Sequence, residues 1–175
     1  TGKIIMGLLN GKDKNGNDLA LMFHYSGLPN YPTDGKFRNV QVTIDKTNNV
    51  LIFQENTVFG MKRRYKDITL SPDKIYSAKD EGIDREQISN GLAGAVVGGA
   101  LFGGTGAVTG SILEKGSKKT KVKTFFVIRY IESDDQRKYL LLRSGNGVRP
   151  DFIKQLKQIA EENSSLKPND KPIEL

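Results

Sequence analysis

Between Gly91 and Leu113 the chain reads GLAGAVVGGALFGGTGAVTGSIL, an uncharged run that interrupts a sequence otherwise patterned as strands. Glycine recurs at Gly91, Gly94, Gly98, Gly99, Gly103, Gly104, Gly106 and Gly110. Small residues spaced by four, as in Gly99, Gly103, Ala107 and Ser111, put a bare backbone stripe along one helix face, where a second helix can approach closely. This is the pattern of a glycine zipper, and it points to self-association or membrane contact. The expected contact residues are Gly91, Gly94, Gly98, Gly99, Gly103, Gly106 and Gly110.

Asp84 and Gln87 fit a helix start, the carboxylate capping a backbone N–H and the amide reaching back from the third helical position. A helix from Arg85 to about Phe102, a turn at Gly103–Gly106 and a second helix over Ala107–Leu113 would make a hairpin over residues 84–114. The alternative is one continuous helix, which at about 1.5 Å per residue is just long enough to cross a hydrocarbon core of about 30 Å. Glycine, however, costs a helix about 1 kcal/mol relative to alanine and contributes almost no apolar area. The segment is therefore marginal in lipid and marginal as an isolated helix in water. Conditional insertion or oligomerisation, a hairpin packed on its own domain, and a glycine loop without order all stay open.

The remaining sequence suits one domain with a core and an appendage, since 175 residues would crowd two full domains. A formal charge of +7 favours acidic partners and says nothing about fold. The absence of cysteine excludes disulfides and thiolate metal sites. The short apolar stretch IIMGLL leads into a polar, glycine-rich turn and reads as a strand, not as a signal peptide.

Alternation and turn chemistry predict strands at Lys3–Leu9 and Asp18–Tyr25, flanking the turn NGKDKNGN, then at Arg38–Asp45 and Val50–Gln54. The apolar VLIF predicts a strand packed on both sides or near the barrel centre. Further strands are expected at Arg63–Leu70, Lys74–Ala78, Val122–Glu132 and Lys138–Arg143, the last two joined across Ser133-Asp134-Asp135. The period then changes. Phe152, Ile153, Leu156, Ile159 and Ala160 form an apolar helix face over Pro150–Glu162, with Pro150 suited to the first turn and Asp151 beside the positive helix end. From Ser164 onward a polar tail with two prolines is expected to be disordered.

A seven-stranded antiparallel core closed by one amphipathic C-terminal helix is the element order of a pleckstrin-homology-like fold. Gly27-Leu28-Pro29, the strand pair RNVQVTID and NVLIFQ, the glycine-rich insertion, the basic exit into TFFVIRYI and the final DFIKQLKQI resemble bacterial pleckstrin-homology-like domains with a glycine-zipper insertion. The resemblance covers roughly residues 26–162. It implies a mainly β (α+β) antiparallel barrel with a C-terminal capping helix and an inserted glycine-rich helical hairpin. It also implies a binding and assembly module, with no catalytic residues to carry over. On this division residues 1–25 are an added N-terminal β-hairpin, residues 26–163 the domain, and residues 164–175 the tail.

Two basic clusters are candidate sites for an acidic surface. Lys115, Lys118, Lys119, Lys121 and Lys123 follow the apolar run, where each lysine at an anionic membrane contributes about 1 kcal/mol. Lys62, Arg63, Arg64 and Lys66, interrupted by Tyr65, form the second and suit phosphate or an acidic protein. A solvated face explains either cluster equally well.

Catalysis has little support, because no convergent acid, base and nucleophile can be named. His24, the only histidine, sits within a strand pattern. Asp80, Glu81, Asp84 and Glu86 are better explained by helix capping than by a metal. Gly104-Thr105-Gly106 with Gly110 lacks the strand context and the Gly-Lys-Ser/Thr ending of a nucleotide-binding loop. Phe125, Phe126 and Tyr130 read as core positions and not as a base-stacking platform, so nucleic acid is not expected.

The expectation is a noncatalytic protein without cofactor or metal, cytoplasmic and conditionally membrane-associated. It would form homo-oligomers and meet an anionic membrane or protein partner, with triggered pore formation as one concrete version. The alternative is a permanently soluble pleckstrin-homology-like module that binds a protein or acidic ligand.

Overall fold

Residues whose side chains alternate between apolar and polar form the strands of the computed structural model, which describes residues 11–57, 61–83, 123–132, 136–145 and 147–167. The strands are β1 (Gly11–Lys12), β2 (Asp18–Ser26), β3 (Arg38–Asp45), β4 (Val50–Glu55), β5 (Ile68–Leu70), β6 (Ile75–Ile83), β7 (Lys123–Ile131) and β8 (Arg137–Ser144). Among the described residues one α-helix, α1 (Pro150–Glu162), follows β8. All pairings are antiparallel, in the order β5-β4-β3-β2-β8-β7-β6, with β1 on β2. The protein is thus mainly antiparallel β with one C-terminal helix.

The turn before β2 is built by Asp13, whose Oδ1 accepts hydrogen bonds from the Asn15 and Asn17 N–H groups at 2.8 and 2.9 Å. The strand expected at Asp18–Tyr25 runs to Ser26 and pairs with β1 across the expected turn, but it is more than half of a hairpin. It is the central strand, pairing with β3 on one side and β8 on the other. The reason lies in its composition: Ala20, Met22 and His24 are almost fully buried, so solvent on either flank would be costly. Its expected partner, Lys3–Leu9, lies outside the described residues.

Leu51 and Leu70 from one end of the strand order and Ile75 and Ala78 from the other share a single buried cluster, so the sheet wraps around its core. Phe152, Leu156 and Ala160 of α1 complete it. The helix is tied at both ends: the Gln155 amide donates to Asp18 at 3.0 Å, and the Asn163 amide donates to the carbonyls of Pro72 and Ile75 at 2.8 and 3.0 Å. Ile83, Phe125, Val127, Tyr139 and Leu141 form a second cluster with Tyr25, and Phe37 packs against it.

Four other expectations change. Val50–Glu55 is packed on one face only, because Leu51, Phe53 and Glu55 are buried and the alternate residues are half-buried. The strand expected over Arg63–Leu70 shortens to Ile68–Leu70, since the Glu55 carboxylate takes the N–H groups of Arg64 and Tyr65. Strand β6 runs past Ala78 to Ile83, with Asp80 and Glu81 paired opposite Phe126 and Phe125. Ser164–Leu166, placed in the disordered tail by sequence, forms a 3-10 turn whose Leu166 carbonyl accepts from Arg137 at 2.8 Å.

The barrel is not closed: among the described residues β5 and β6 do not pair. The link between them is a 3-10 turn, Pro72–Lys74, and proline has no N–H to give to a ladder.

Leu156 is 1% exposed, so Leu156→Ala should lower unfolding free energy by about 2–5 kcal/mol in denaturant titrations. The half-buried Ile159 should cost less on the same substitution. Equal losses at both positions would contradict the orientation of α1.

Candidate functional site

The described residues contain all four members of the basic cluster between β4 and β5, Lys62, Arg63, Arg64 and Lys66. The Arg64 and Tyr65 N–H groups donate to one Glu55 carboxylate oxygen at 2.5 and 3.0 Å. Glu55 is buried although charged; two backbone donors and the Arg64 guanidinium, 3.8 Å away, compensate it. Tyr65 packs on Tyr31 with ring centroids 4.4 Å apart and planes tilted by 32°, and Tyr31 meets His24 edge-on at 5.0 Å. Burial, then the Glu55 and Asp67 carboxylates, pushes the Tyr31 phenol to about 12, so it stays neutral.

On this braced frame Lys62, Arg63, Arg64 and Lys66 are exposed. Arg63 reaches Asp67 at 3.5 Å and Arg64 reaches Glu55, whereas Lys62 and Lys66 form no ion pair among the described residues. Two lysine charges beside the exposed Met61 remain for a partner. At the adjacent start of β3, Arg38 makes a bidentate pair with Asp34 at 2.8 and 2.7 Å. The guanidinium holds the Asp34 carboxyl well below the usual carboxylate range. That arginine is already engaged.

Of the second basic cluster, Lys123 lies among the described residues. Lys123 opens β7 opposite Ile83, whereas the basic loop lies beside the Arg38–His24 end of β3 and β2. Lys123 also sits over the Tyr25 ring at 5.8 Å. Lys115, Lys118, Lys119 and Lys121 lie outside the described residues, as do Gly91, Gly94, Gly98, Gly99, Gly103, Gly106, Gly110 and the expected hairpin 84–114.

Of the acidic residues before the glycine run, Glu81 lies in β6 and forms a bidentate pair with Arg129 at 2.7 and 2.6 Å. It is a strand residue committed to an ion pair, not a capping group. Asp84 and Glu86 are outside the described residues. Among the described residues no group of three or more acidic or imidazole side chains is placed to hold a metal ion. Nor is any helix there long and apolar enough to cross a membrane.

His24 is fully buried, and its Nε2 accepts a hydrogen bond from the Leu28 N–H at 3.1 Å. Burial first, and the nearby Arg38 charge second, lower its pKa from 6.5 to about 4. A neutral acceptor locking the β2 exit has a structural role.

Sequence reasoning found the four basic residues of the loop and missed what holds them: Glu55, Asp67 and the Tyr31–Tyr65 pair. The signal for Glu55 was present, because it continues the inward register Leu51, Phe53. Tyr31 and Tyr65 carry no such signal, since both lie in irregular loops. No protein-family model matches the chain, and neither the curated proteins nor the solved structures contain a match.

Glu55→Gln should accelerate hydrogen exchange at the Arg64 and Tyr65 amides and lower stability by about 1–3 kcal/mol. Unchanged exchange would detach the loop from Glu55.

For His24 the folded pKa lies below the unfolded one, so the unfolded chain binds the proton first as pH falls from 6.5 towards 4. Stability should drop across that window, by up to about 3 kcal/mol. His24→Phe should flatten the slope while losing about 1–3 kcal/mol at neutral pH, because the Leu28 N–H loses its acceptor. An unchanged slope in pH-dependent denaturation would assign the effect elsewhere.

Proposed function

We propose that the chain is a noncatalytic binding and assembly protein: a pleckstrin-homology-like platform carrying residues 84–122 as an assembly arm. The observation that carries this reading is the register at the tip of the β6–β7 hairpin, where Ile83 pairs with Lys123. The sheet holds both ends of the intervening segment opposite each other. The segment is therefore an insertion into a turn, and the ladder does not depend on its conformation. The strand order and the helix after the last strand support the pleckstrin-homology-like part. The small-residue stripe Gly99, Gly103, Ala107 and Ser111 supports assembly by close helix contact, in solution or at a membrane, with pore formation as one outcome.

The alternative, a permanently soluble module for a protein or acidic ligand, is favoured by a different observation. Among the described residues, Lys62 and Lys66 stand without ion pairs on a loop that Glu55 holds in place.

Replacing residues 84–122 with Asn-Gly separates the two. If the arm assembles the protein, the full chain forms oligomers or binds anionic vesicles and the shortened chain, still folded by circular dichroism, does neither. Gly99→Leu with Gly103→Leu, although more apolar, should also lose assembly. If the soluble module is correct, neither chain assembles and both bind a polyanion in a salt-sensitive manner. Undiminished assembly of the folded double variant would reject the zipper.

A further inference from the structure

Where the strand order stops, the gap between β5 and the end of β7 is a cavity of about 140 Å³. It lies at the opposite end of the strands from the Ile83–Lys123 turn. Leu28, Phe53, Leu70 and Leu140 supply its apolar lining, and Thr69, Ser71, Lys74 and Glu132 its polar lining. The gap is held by specific bonds. Pro72 cannot extend a ladder from β5, and the Asn163 amide fixes the carbonyls of Pro72 and Ile75 on the far side.

The charges decide what fits. Glu132 is compensated by Lys138, with which it forms an ion pair. Lys74 forms none among the described residues, and the Thr69 and Ser71 hydroxyls make no hydrogen bond among them. The cavity therefore presents apolar walls, one uncompensated ammonium and two free hydroxyls. An amine would have to displace Lys138 from Glu132. A phosphate dianion would find one cation where several are usual. A monocarboxylate meets each group with its complement, one oxygen to Lys74 and the other to a hydroxyl. The volume sets the apolar part, because a cavity of about 150 Å³ lined by aliphatic and aromatic side chains takes up benzene.

We propose that this seam binds a small monocarboxylate whose apolar part is about the size of a phenyl ring or a branched short chain. The same chemistry occurs at the carboxy-terminal residue of a peptide; the seam is assigned here to the free acid.

The test uses the full chain and 3-phenylpropionate, followed by amide resonances in a titration. Saturable shifts confined to Leu28, Thr69, Ser71 and their neighbours are expected, with 3-phenylpropanamide binding about two- to fivefold more weakly, as an exposed ion pair allows. Lys74 is exposed, so Lys74→Gln should leave the fold intact, weaken the acid by the same factor and abolish the preference for acid over amide. Propionate, which lacks the ring, should not saturate. Equal affinity for acid and amide in the native chain, or an acid preference that survives Lys74→Gln, would overturn the proposal. So would shifts centred on the basic loop. Tighter binding of Gly-Gly-Phe than of 3-phenylpropionate, lost on amidating its carboxyl group, would overturn the assignment to a free acid and give the seam to a chain terminus.

Discussion

The ladder between β2 and β8 is the strand pairing that joins the two halves of the sheet. On one side β2 to β5 form a meander, on the other β6 to β8 form a second, and within the sheet β2 and β8 are the strands that join them. Its register runs Met22 to Ser144, Phe23 to Arg143 and His24 to Leu142, then shifts so that Ser26 faces Leu141. The extra residue at this bulge turns the strand locally. His24 enters the main core side by side with Met22, Tyr25 joins the second cluster, and the chain leaves β2 through Gly27 at φ 105°. A Cβ on Gly27 would lie 2.2 Å from the Tyr139 carbonyl oxygen, so no other residue fits there without moving β8. Because this ladder closes across everything from β3 to β7, it is the strand pairing with the greatest loop-closure cost.

That junction also explains why the two ends of the sheet differ in character. At the Arg38–His24 end, buried carboxylate, packed tyrosines and neutral imidazole meet in one place, and the exposed cations of the basic loop rest on them. The Glu55 carboxylate holds the Arg64 and Tyr65 N–H groups here in place of a ladder, which is why β5 is short. The cost of burying Glu55 is met by backbone donors, and those donors are then lost to β-pairing. The seam between β5 and β6 follows from the same trade, reinforced by Pro72.

Which parts were legible in the sequence follows the same physics. Helix α1 was legible to the residue, because Pro150 marks its start and Phe152, Leu156 and Ala160 repeat at helical spacing. Strand β3 was too, since Val40, Val42 and Ile44 alternate cleanly. What failed was the environment of each strand. VLIF looked buried on both faces, yet Val50 and Ile52 are only half-buried on a single-faced strand. Asp18–Ser26 looked peripheral, since nothing local reveals that Ser144, far along the chain, is its neighbour. The basic loop was visible as a charge run, while the carboxylate that organises it belonged to a different strand. Sequence shows periodicity and charge readily; it shows pairing partners only where a turn joins them directly.

Glycine in the inserted segment and the hairpin that carries it are linked by energetics. A segment rich in glycine is destabilised as a helix and poorly hydrophobic, so it could not serve as a structural strand or core helix without lowering the stability of the whole. Placed between Ile83 and Lys123 it avoids that conflict, because lengthening a turn roughly tenfold raises the closure cost by only about 2 kcal/mol. Among the described residues, α1 and the wrapped sheet supply the core. In the reading proposed above, this placement lets a sequence marginal in both water and lipid persist in a folded protein. A more apolar segment would partition or aggregate without regulation, and a more polar one would not assemble. The composition of the insertion and its position at a hairpin tip thus argue for the same role from independent directions.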